Sequence, residues 1–163
     1  MEHPAKGVFY FLNSGYCNDM IQLSKKVRLK VFLCHSHSDS EAVHILWSRL
    51  RKSDIDAWLD VERLQPGQDW QHEIRRAILK SDVVVVCLSR GFNEQQGYRH
   101  EELKLALEKA KLIVDDEVFI IPIRLEKCDM PESLRHLHRV DLFKPGGYKK
   151  LVQALQEKDL VRH

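Results

Sequence analysis

Runs of apolar residues alternate along the chain with segments in which apolar residues recur three and four positions apart. The clearest run, Val83 to Leu88, is apolar throughout, which is typical of a central strand buried on both faces. Further apolar runs predict strands at residues 29–34, 55–59, 118–123 and 140–143. The helical periodicity predicts helices at residues 41–52, 70–80, 97–112 and 148–158, with a short helix at 131–137. Residues 89–96 are predicted to form a loop.

This alternation of strand and helix, with short connections, predicts an α/β fold in which helices cover both faces of a parallel sheet. The lengths of the strands and the total size of the chain favour a flavodoxin-like five-stranded sheet with the order 2-1-3-4-5. In such a sheet the ligand crevice lies at the carboxyl ends of the strands. We assign residues 29–158 to this domain, residues 1–28 to an N-terminal extension and residues 159–163 to a tail. The apolar cluster Val8 to Leu12 in the extension is a candidate for packing or interface contacts.

Composition adds limits on function. The chain of 163 residues carries a formal net charge of +2, without the basic run interleaved with aromatics that nucleic-acid binding favours. No apolar segment has the length of a membrane span or the pattern of a signal peptide. The four cysteines are widely spaced, and Cys34 and Cys87 lie in apolar strand-like runs. We therefore expect free thiols, a reducing cytoplasmic compartment, and neither nucleic-acid nor membrane partners.

The loops after the strands exclude several common chemistries. The loop after the first strand has no glycine, so neither the dinucleotide-binding glycine motif nor the phosphate-binding P-loop is present. The third strand ends without the aspartate of a phosphoacceptor domain, and no nucleophile elbow follows it. His35 and His37 with Cys34 suggest zinc ligands, but no second ligand pair occurs at a suitable spacing. We therefore predict no metal site and interpret both histidines as polar loop residues that face the crevice.

The start of the helix at residues 97–112 offers a different chemistry. Tyr98 and Glu102 are four residues apart, so the ring and the carboxylate share one helix face. Glu101, one residue earlier, should face elsewhere. An acid in the first turns of a helix is common, because it complements the helix dipole. Glu102 can be interpreted in this way, as an acid that only complements the dipole. In the alternative interpretation, the ring of Tyr98 and the carboxylate of Glu102 hold a ribose at the crevice.

Several motifs then occur in an order that resembles a known family. They comprise residues 30–39 (KVFLCHSHSD), 57–67 (AWLDVERLQPG), 83–92 (VVVVCLSRGF), 98–102 (YRHEE) and 120–123 (IIPI). From Leu29 to about Glu157 the chain resembles a Toll/interleukin-1 receptor (TIR) domain, and it is most similar to the NAD-cleaving type of bacteria and metazoans. The first motif resembles the family's first box. The second resembles the second box and its BB loop, which we number 60–70.

The resemblance implies cleavage of the nicotinamide–ribose bond of NAD+. NAD+ would be the substrate of this reaction, and the resemblance implies no cofactor. The products would be nicotinamide and ADP-ribose or a cyclic ADP-ribose. Glu102 occupies the position of the catalytic glutamate. The positions implied for substrate binding are Tyr98, His35, Ser36, His37, Asp60 and Arg63. In two places the chain departs from the family, which usually has tryptophan at the position of Tyr98 and in some enzymes has arginine in the first loop.

Asp60 and Arg63 have two interpretations. Arg63 could meet a phosphate and Asp60 a hydroxyl, or the two could form salt bridges within their loop. The resemblance also implies self-association in which the BB loop completes the site of a neighbouring chain, and a role in immune or antiviral defence signalling. Two alternative functions remain: a non-catalytic TIR interaction module, and a sensor that binds NAD+ without cleaving it.

Overall fold

The structure, a computed structural model, describes residues 27–59, 65–94, 98–113 and 117–161, with the side chains of residues 98–100 excluded. The predicted N-terminal extension up to residue 26 and residues 60–64 of the BB loop lie outside the described residues. Within the described ranges, no helix combines the length and the apolar character that crossing a membrane requires.

Five parallel strands form one sheet in the order β2-β1-β3-β4-β5, so the predicted fold class is confirmed. The strands are β1 (Lys30–His35), β2 (Asp56–Trp58), β3 (Val83–Leu88), β4 (Ile120–Arg124) and β5 (Val140–Asp141). The helices are α1 (Ser40–Lys52), α2 (Trp70–Lys80), α3 (Arg90–Glu94), α4 (Tyr98–Ala110) and α5 (Gly147–Val161). Two short 3-10 helices lie at His37–Asp39 and Glu132–Leu134.

The prediction of a loop at residues 89–96 is wrong for Arg90–Glu94, which form α3. Ser89 Oγ accepts a hydrogen bond from the backbone N–H of Phe92 at 3.0 Å, which satisfies a donor at the start of the helix. Phe92 is buried in the core and holds this short helix against the sheet. A five-residue helix stabilised mainly by tertiary contacts carries too little periodicity to be recognised in the sequence.

Other boundaries differ from the prediction by a few residues. β1 continues to His35, β4 begins at Ile120, and β5 ends at Asp141. The last helix continues to Val161, and the helix predicted at 131–137 is limited to the 3-10 turn at 132–134. These ends are set by local hydrogen bonds and by packing, which the apolar pattern alone does not specify.

The sheet separates two apolar clusters, one on each face. Helices α1 and α5 cover one face, where Leu46 and Leu151 are buried. Helices α2, α3 and α4 cover the other, where Ile78 and Leu103 are buried. All six side chains of β3 are buried, as expected for a central strand with both faces covered.

The three tryptophans divide between the core and the surface. Trp58 is half-buried and stacks on the buried ring of Phe32, with ring centroids 5.2 Å apart. Trp47 donates its indole N–H to the carbonyl of Ala57 at 3.0 Å, as a packing residue that joins α1 to β2. Trp70 lies at the start of α2, where 47% of this residue is exposed.

Candidate functional site

Glu102 lies in the second turn of α4, and only 3% of its surface is exposed. Its carboxylate Oε2 accepts a hydrogen bond from the thiol of Cys34, with Sγ and Oε2 3.4 Å apart. Cys34 is itself buried near the carboxyl end of β1. The contact therefore fixes the carboxylate against the end of a central strand, where a flavodoxin-like fold places its ligand.

The position of Glu102 follows from helical periodicity. Leu103 and Ala106 are buried against the sheet, and Glu102 precedes Ala106 by four residues, so it belongs to the same inward stripe. Glu101 lies one step round the helix and is exposed. The structure thus separates the two neighbouring acids as the sequence predicted, although both line the same cavity.

A cavity of about 340 Å³ lies between α2 and α4, and Glu102 forms part of its wall. The residues that line it are Asp69, Gln71, His72, Ile74, Arg75 and Ile78 from the α2 side and Glu101, Glu102 and Leu105 from α4. Formally, this lining has three carboxylates and one guanidinium. An acidic cavity of this kind favours a cationic group over a free phosphate.

The α2 side of the cavity is held by a helix cap. Asp69 Oδ1 accepts hydrogen bonds from the backbone N–H groups of Gln71 at 3.1 Å and His72 at 3.3 Å. This is the usual arrangement at a helix N-terminus, where a carboxylate also complements the helix dipole. Because the BB loop leads directly into this cap, the described part of that loop ends at the cavity wall.

The loop after β1 is also ordered by its own polar groups. Ser36 is fully buried, and its Oγ lies 2.7 Å from Ser38 Oγ and accepts the Ser38 N–H at 3.3 Å. His37 is exposed, and its carbonyl accepts from Ser40 Oγ at 2.6 Å. The prediction that His35 is a polar loop residue is wrong, since it is the last residue of β1 and is 2% exposed.

A hydrogen bond joins the loops after β1 and β3. Ser89 Oγ donates to Asp39 Oδ2 while it accepts from the N–H of Phe92. Gly91 packs closely at this junction, because an added Cβ would collide with Ser38 Oγ and one of the two would have to shift. The sequence placed these residues in neighbouring loops but gave no sign of their contact, which depends on the parallel pairing of β1 and β3.

The structure brings only some of the predicted site residues together. Glu102 packs on the Cys34 side of the sheet, whereas His35, the next residue of an extended strand, points to the opposite face. Tyr98 begins α4 one turn before Glu102, and its side chain lies outside the described part. Asp60 and Arg63 lie outside the described residues as well.

Most residues of this site were not predicted to belong to it, and they include Cys34 beside Glu102 and the α2 residues Gln71, His72 and Arg75 in the cavity wall. The sequence identified Cys34 as a buried thiol but not its partner, which is 68 residues away. The α2 residues follow the BB loop immediately, and this adjacency was the available signal for them.

Comparison with known proteins agrees with the fold. A family profile described as TIR domain matches residues 31–156, and the chain belongs to the TIR domain family. The TIR domain of the Toll-related receptor TRR-2 from Hydra magnipapillata superposes with a TM-score of 0.65 at 22% identity, over 78% of this chain and 98% of that chain. A prokaryotic SEFIR domain gives a TM-score of 0.58 at 19% identity, over 77% and 96%.

Two further relatives extend the comparison. The TIR domains in the structure of the activated Roq1 resistosome, which directly recognizes the pathogen effector XopQ, give a TM-score of 0.52 at 24% identity, over 80% of this chain and 72% of that chain. The y4cD protein of Sinorhizobium fredii is 29% identical over 126 residues, or 76% of this chain. This chain spans about a fifth of that protein's length. At such identities the solved structures show the fold alone.

Proposed function

We propose that this TIR domain is an NAD+ glycohydrolase or cyclase that cleaves the nicotinamide–ribose bond, with Glu102 as its catalytic residue. The observation that carries the proposal is the carboxylate of Glu102 in the wall of an acidic cavity, held by Cys34 near the carboxyl end of β1. The family of the chain supports the proposal, because it includes NAD-cleaving enzymes.

The reaction needs little more than a well-placed negative charge. The C1′–N bond breaks, its electron pair leaves with neutral nicotinamide, and positive charge develops on the ribose in an oxocarbenium-like transition state. A carboxylate beside the ribose stabilises that charge. Water then adds at C1′ and releases a proton to give ADP-ribose, or a nitrogen of the adenine adds to give a cyclic product. Because nicotinamide leaves as a neutral molecule, no strong general acid is required.

The remaining predicted residues belong to the proposal as substrate-binding groups. Tyr98 would stack on the nicotinamide or the ribose, and Ser36 and His37 would approach the nucleotide from the loop after β1. Arg63 and Asp60 would act from the BB loop. His35 fits this role least well, because it is buried on the face of the sheet opposite to Glu102.

The test is nicotinamide release from NAD+ by concentrated protein, followed by chromatography. Glu102→Gln keeps the size of the side chain and removes the charge, so we expect turnover to fall by about 10² to 10³. Glu108→Gln, an exposed glutamate on the same helix, is the matched control and should retain wild-type turnover. Activity that survives Glu102→Gln excludes the catalytic role of Glu102.

One observation favours the second candidate function, a non-catalytic interaction module for signal transduction. Glu102 is only 3% exposed, so in this conformation its carboxylate offers little surface to a substrate. If no NAD+ turnover occurs at any protein concentration while another TIR domain binds, the interaction module becomes the better explanation. Saturable NAD+ binding without nicotinamide release would instead indicate the sensor.

Self-association through the BB loop belongs to the same proposal, together with a cytoplasmic role in defence signalling. The described part of that loop, residues 65–70, is exposed throughout, and Trp70 presents 47% of its surface. A large exposed aromatic beside a cavity is typical of a contact surface. Trp70→Gln should lower the self-association measured by sedimentation, while Leu160→Gln, which is exposed at the far end of α5, should leave it unchanged.

A further inference from the structure

We propose that Cys34 is a positioning residue, whose thiol orients the carboxylate of Glu102 for the reaction. This inference rests on the proposed function. The sequence suggested a buried structural thiol in an apolar strand, and nothing in that pattern assigns Cys34 a part in the chemistry.

The sheet fixes the position from which the Cys34 side chain extends. Cys34 is 1% exposed and pairs in register with Val86 of the central strand β3, so its backbone position is set by the sheet. Glu102 comes from α4, whose neighbours Leu103 and Ala106 are packed against the same face. The 3.4 Å contact between Sγ and Oε2 therefore joins two rigid elements rather than two loops.

The chemistry of a thiol suits this role. An S–H group has a single, weak donor, so it restrains the rotation of a carboxylate while it withdraws little of the negative charge. That charge is what an oxocarbenium-like transition state needs nearby. A stronger donor at this point would hold the carboxylate equally well but would neutralise more of its charge. Alanine would remove this hydrogen bond to the carboxylate.

The chain contains a matched control for a merely structural role. Cys87 is a second fully buried thiol, one strand away on β3, and it belongs to the apolar cluster on the opposite face of the sheet. Cys34→Ala and Cys87→Ala therefore remove the same group from equally buried sites. Only the first removes a donor from Glu102.

The kinetic experiment measures kcat and KM for NAD+ in the full chain and three variants. For Cys34→Ala we expect kcat to fall by about tenfold to a hundredfold, with KM changed by no more than about twofold, because the substrate is bound but the carboxylate is misplaced. Cys34→Ser should recover part of that loss, since a hydroxyl also donates. Cys87→Ala should keep wild-type kcat in the fraction that folds.

The outcomes separate this inference from the proposed function. If the wild-type protein does not cleave NAD+, both the proposed function and the role of Cys34 in catalysis are contradicted. An active wild-type protein in which Cys34→Ala and Cys87→Ala behave alike overturns the role of Cys34 alone. A fall in kcat that only matches the fall in the folded fraction, measured by circular dichroism, would also contradict it, because a general structural loss lowers the apparent kcat and leaves KM unchanged.

A spectroscopic measurement tests the contact without turnover. The S–H stretching band of Cys34 is obtained as the infrared difference between the wild type and Cys34→Ala, and that of Cys87 in the same way. A thiol that donates to a carboxylate absorbs at lower frequency, so we expect Glu102→Gln to raise the Cys34 band and leave the Cys87 band in place. If Glu102→Gln leaves the S–H stretching frequency of Cys34 unchanged, the positioning role is contradicted.

Discussion

Arg124 holds the carboxylate of Asp141 with two parallel hydrogen bonds, from Nε to Oδ1 at 2.7 Å and from Nη2 to Oδ2 at 2.9 Å. Both side chains are nearly buried, at 11% and 10% exposed. The guanidinium also donates to the carbonyl of Cys128 at 2.8 Å. Since Arg124 ends β4 and Asp141 ends β5, this pair fastens the short edge strand to the sheet.

We expect Asp141→Asn to lower the free energy of unfolding by about 3 kcal/mol, because it leaves a largely buried guanidinium without its charge partner. Urea unfolding followed by circular dichroism measures the change. Asp54→Asn is the matched control, since Asp54 pairs with Arg28 at 2.8 Å where both side chains are more than half exposed. The control should cost no more than about 1 kcal/mol. Equal losses in the two variants would contradict the importance of burial here.

The same pair predicts how stability depends on pH. The hydrogen bonds from Arg124 hold the pKa of the Asp141 carboxyl well below its ordinary value, although burial opposes this effect, and Lys144 at 3.0 Å adds to the lowering. The pKa of Asp141 is lower in the folded chain than in the unfolded chain, where it is about 4. The ion pair therefore contributes its full stabilisation above about pH 4, and this contribution is lost as the pH falls below that value. The unfolding free energy of the wild type should therefore fall more steeply between about pH 4 and pH 2 than that of Asp141→Asn. Parallel curves would contradict the prediction.

Lys109 joins the two helices that form the candidate site. Its ammonium donates to three carbonyls at the carboxyl end of α2, those of Ile78, Leu79 and Ser81, at 3.2, 2.7 and 2.6 Å. It also lies 4.5 Å from the ring centroid of Phe119, and burial lowers its pKa. The last carbonyls of a helix lack the usual partner one turn ahead, and here only the Ile78 carbonyl also accepts a hydrogen bond from the Ser81 N–H, at 3.2 Å, among the bonds described. A cation at this end therefore caps the helix and complements its dipole.

Lys109→Met keeps the length of the side chain and removes all three donors. We expect a loss of about 2 kcal/mol in unfolding free energy, because charged hydrogen bonds contribute more than neutral ones. Lys111→Met, on an exposed residue just after α4, should change stability by less than about 0.5 kcal/mol. Thermal and urea unfolding of both variants measure the difference. A loss in Lys111→Met as large as that in Lys109→Met would show that the capping contact is unimportant.

The sequence predicted the sheet well because burial and strand order have local signals. The residues of β3 are uniformly apolar, and α2 lies at Trp70–Lys80 as the helical periodicity indicated. The spacing predicted only that Glu102 shares a helix face with Tyr98, and the structure adds that Glu102 is buried four residues before Ala106. Elements with strong periodicity and complete burial are therefore predictable from the chain alone.

The candidate site depended on contacts that periodicity does not report. Cys34 and Glu102 are 68 residues apart, and their contact requires the whole β1–β3–α4 arrangement. Ser89 meets Asp39 across 50 residues, and this contact sits at the start of the helix that the prediction missed. Such polar contacts between distant elements arise only after the sheet has formed, so the sequence identified the residue types but not the pairs.

The buried thiols give the last prediction, which concerns how closed the candidate site is. Cys34 and Cys87 are buried thiols, and Cys128 is a thiol that is partly exposed. Burial raises the pKa of the Cys87 thiol, and the nearby Asp39 carboxylate raises it further. Since alkylation requires an accessible thiolate, Cys34 and Cys87 should react with iodoacetamide at least about 100-fold more slowly in the native protein than in urea.

Peptide mapping by mass spectrometry after timed alkylation separates the individual cysteines. Cys128 should be labelled before the other two under native conditions, even though burial also raises its pKa, because part of its surface is accessible. Cys87 serves as the internal reference for a thiol that only global unfolding exposes. If Cys34 is labelled much faster than Cys87, the contact with Glu102 opens in the native state. The carboxylate would then reach solvent by a local motion of α4, because unfolding of the sheet would expose both thiols together.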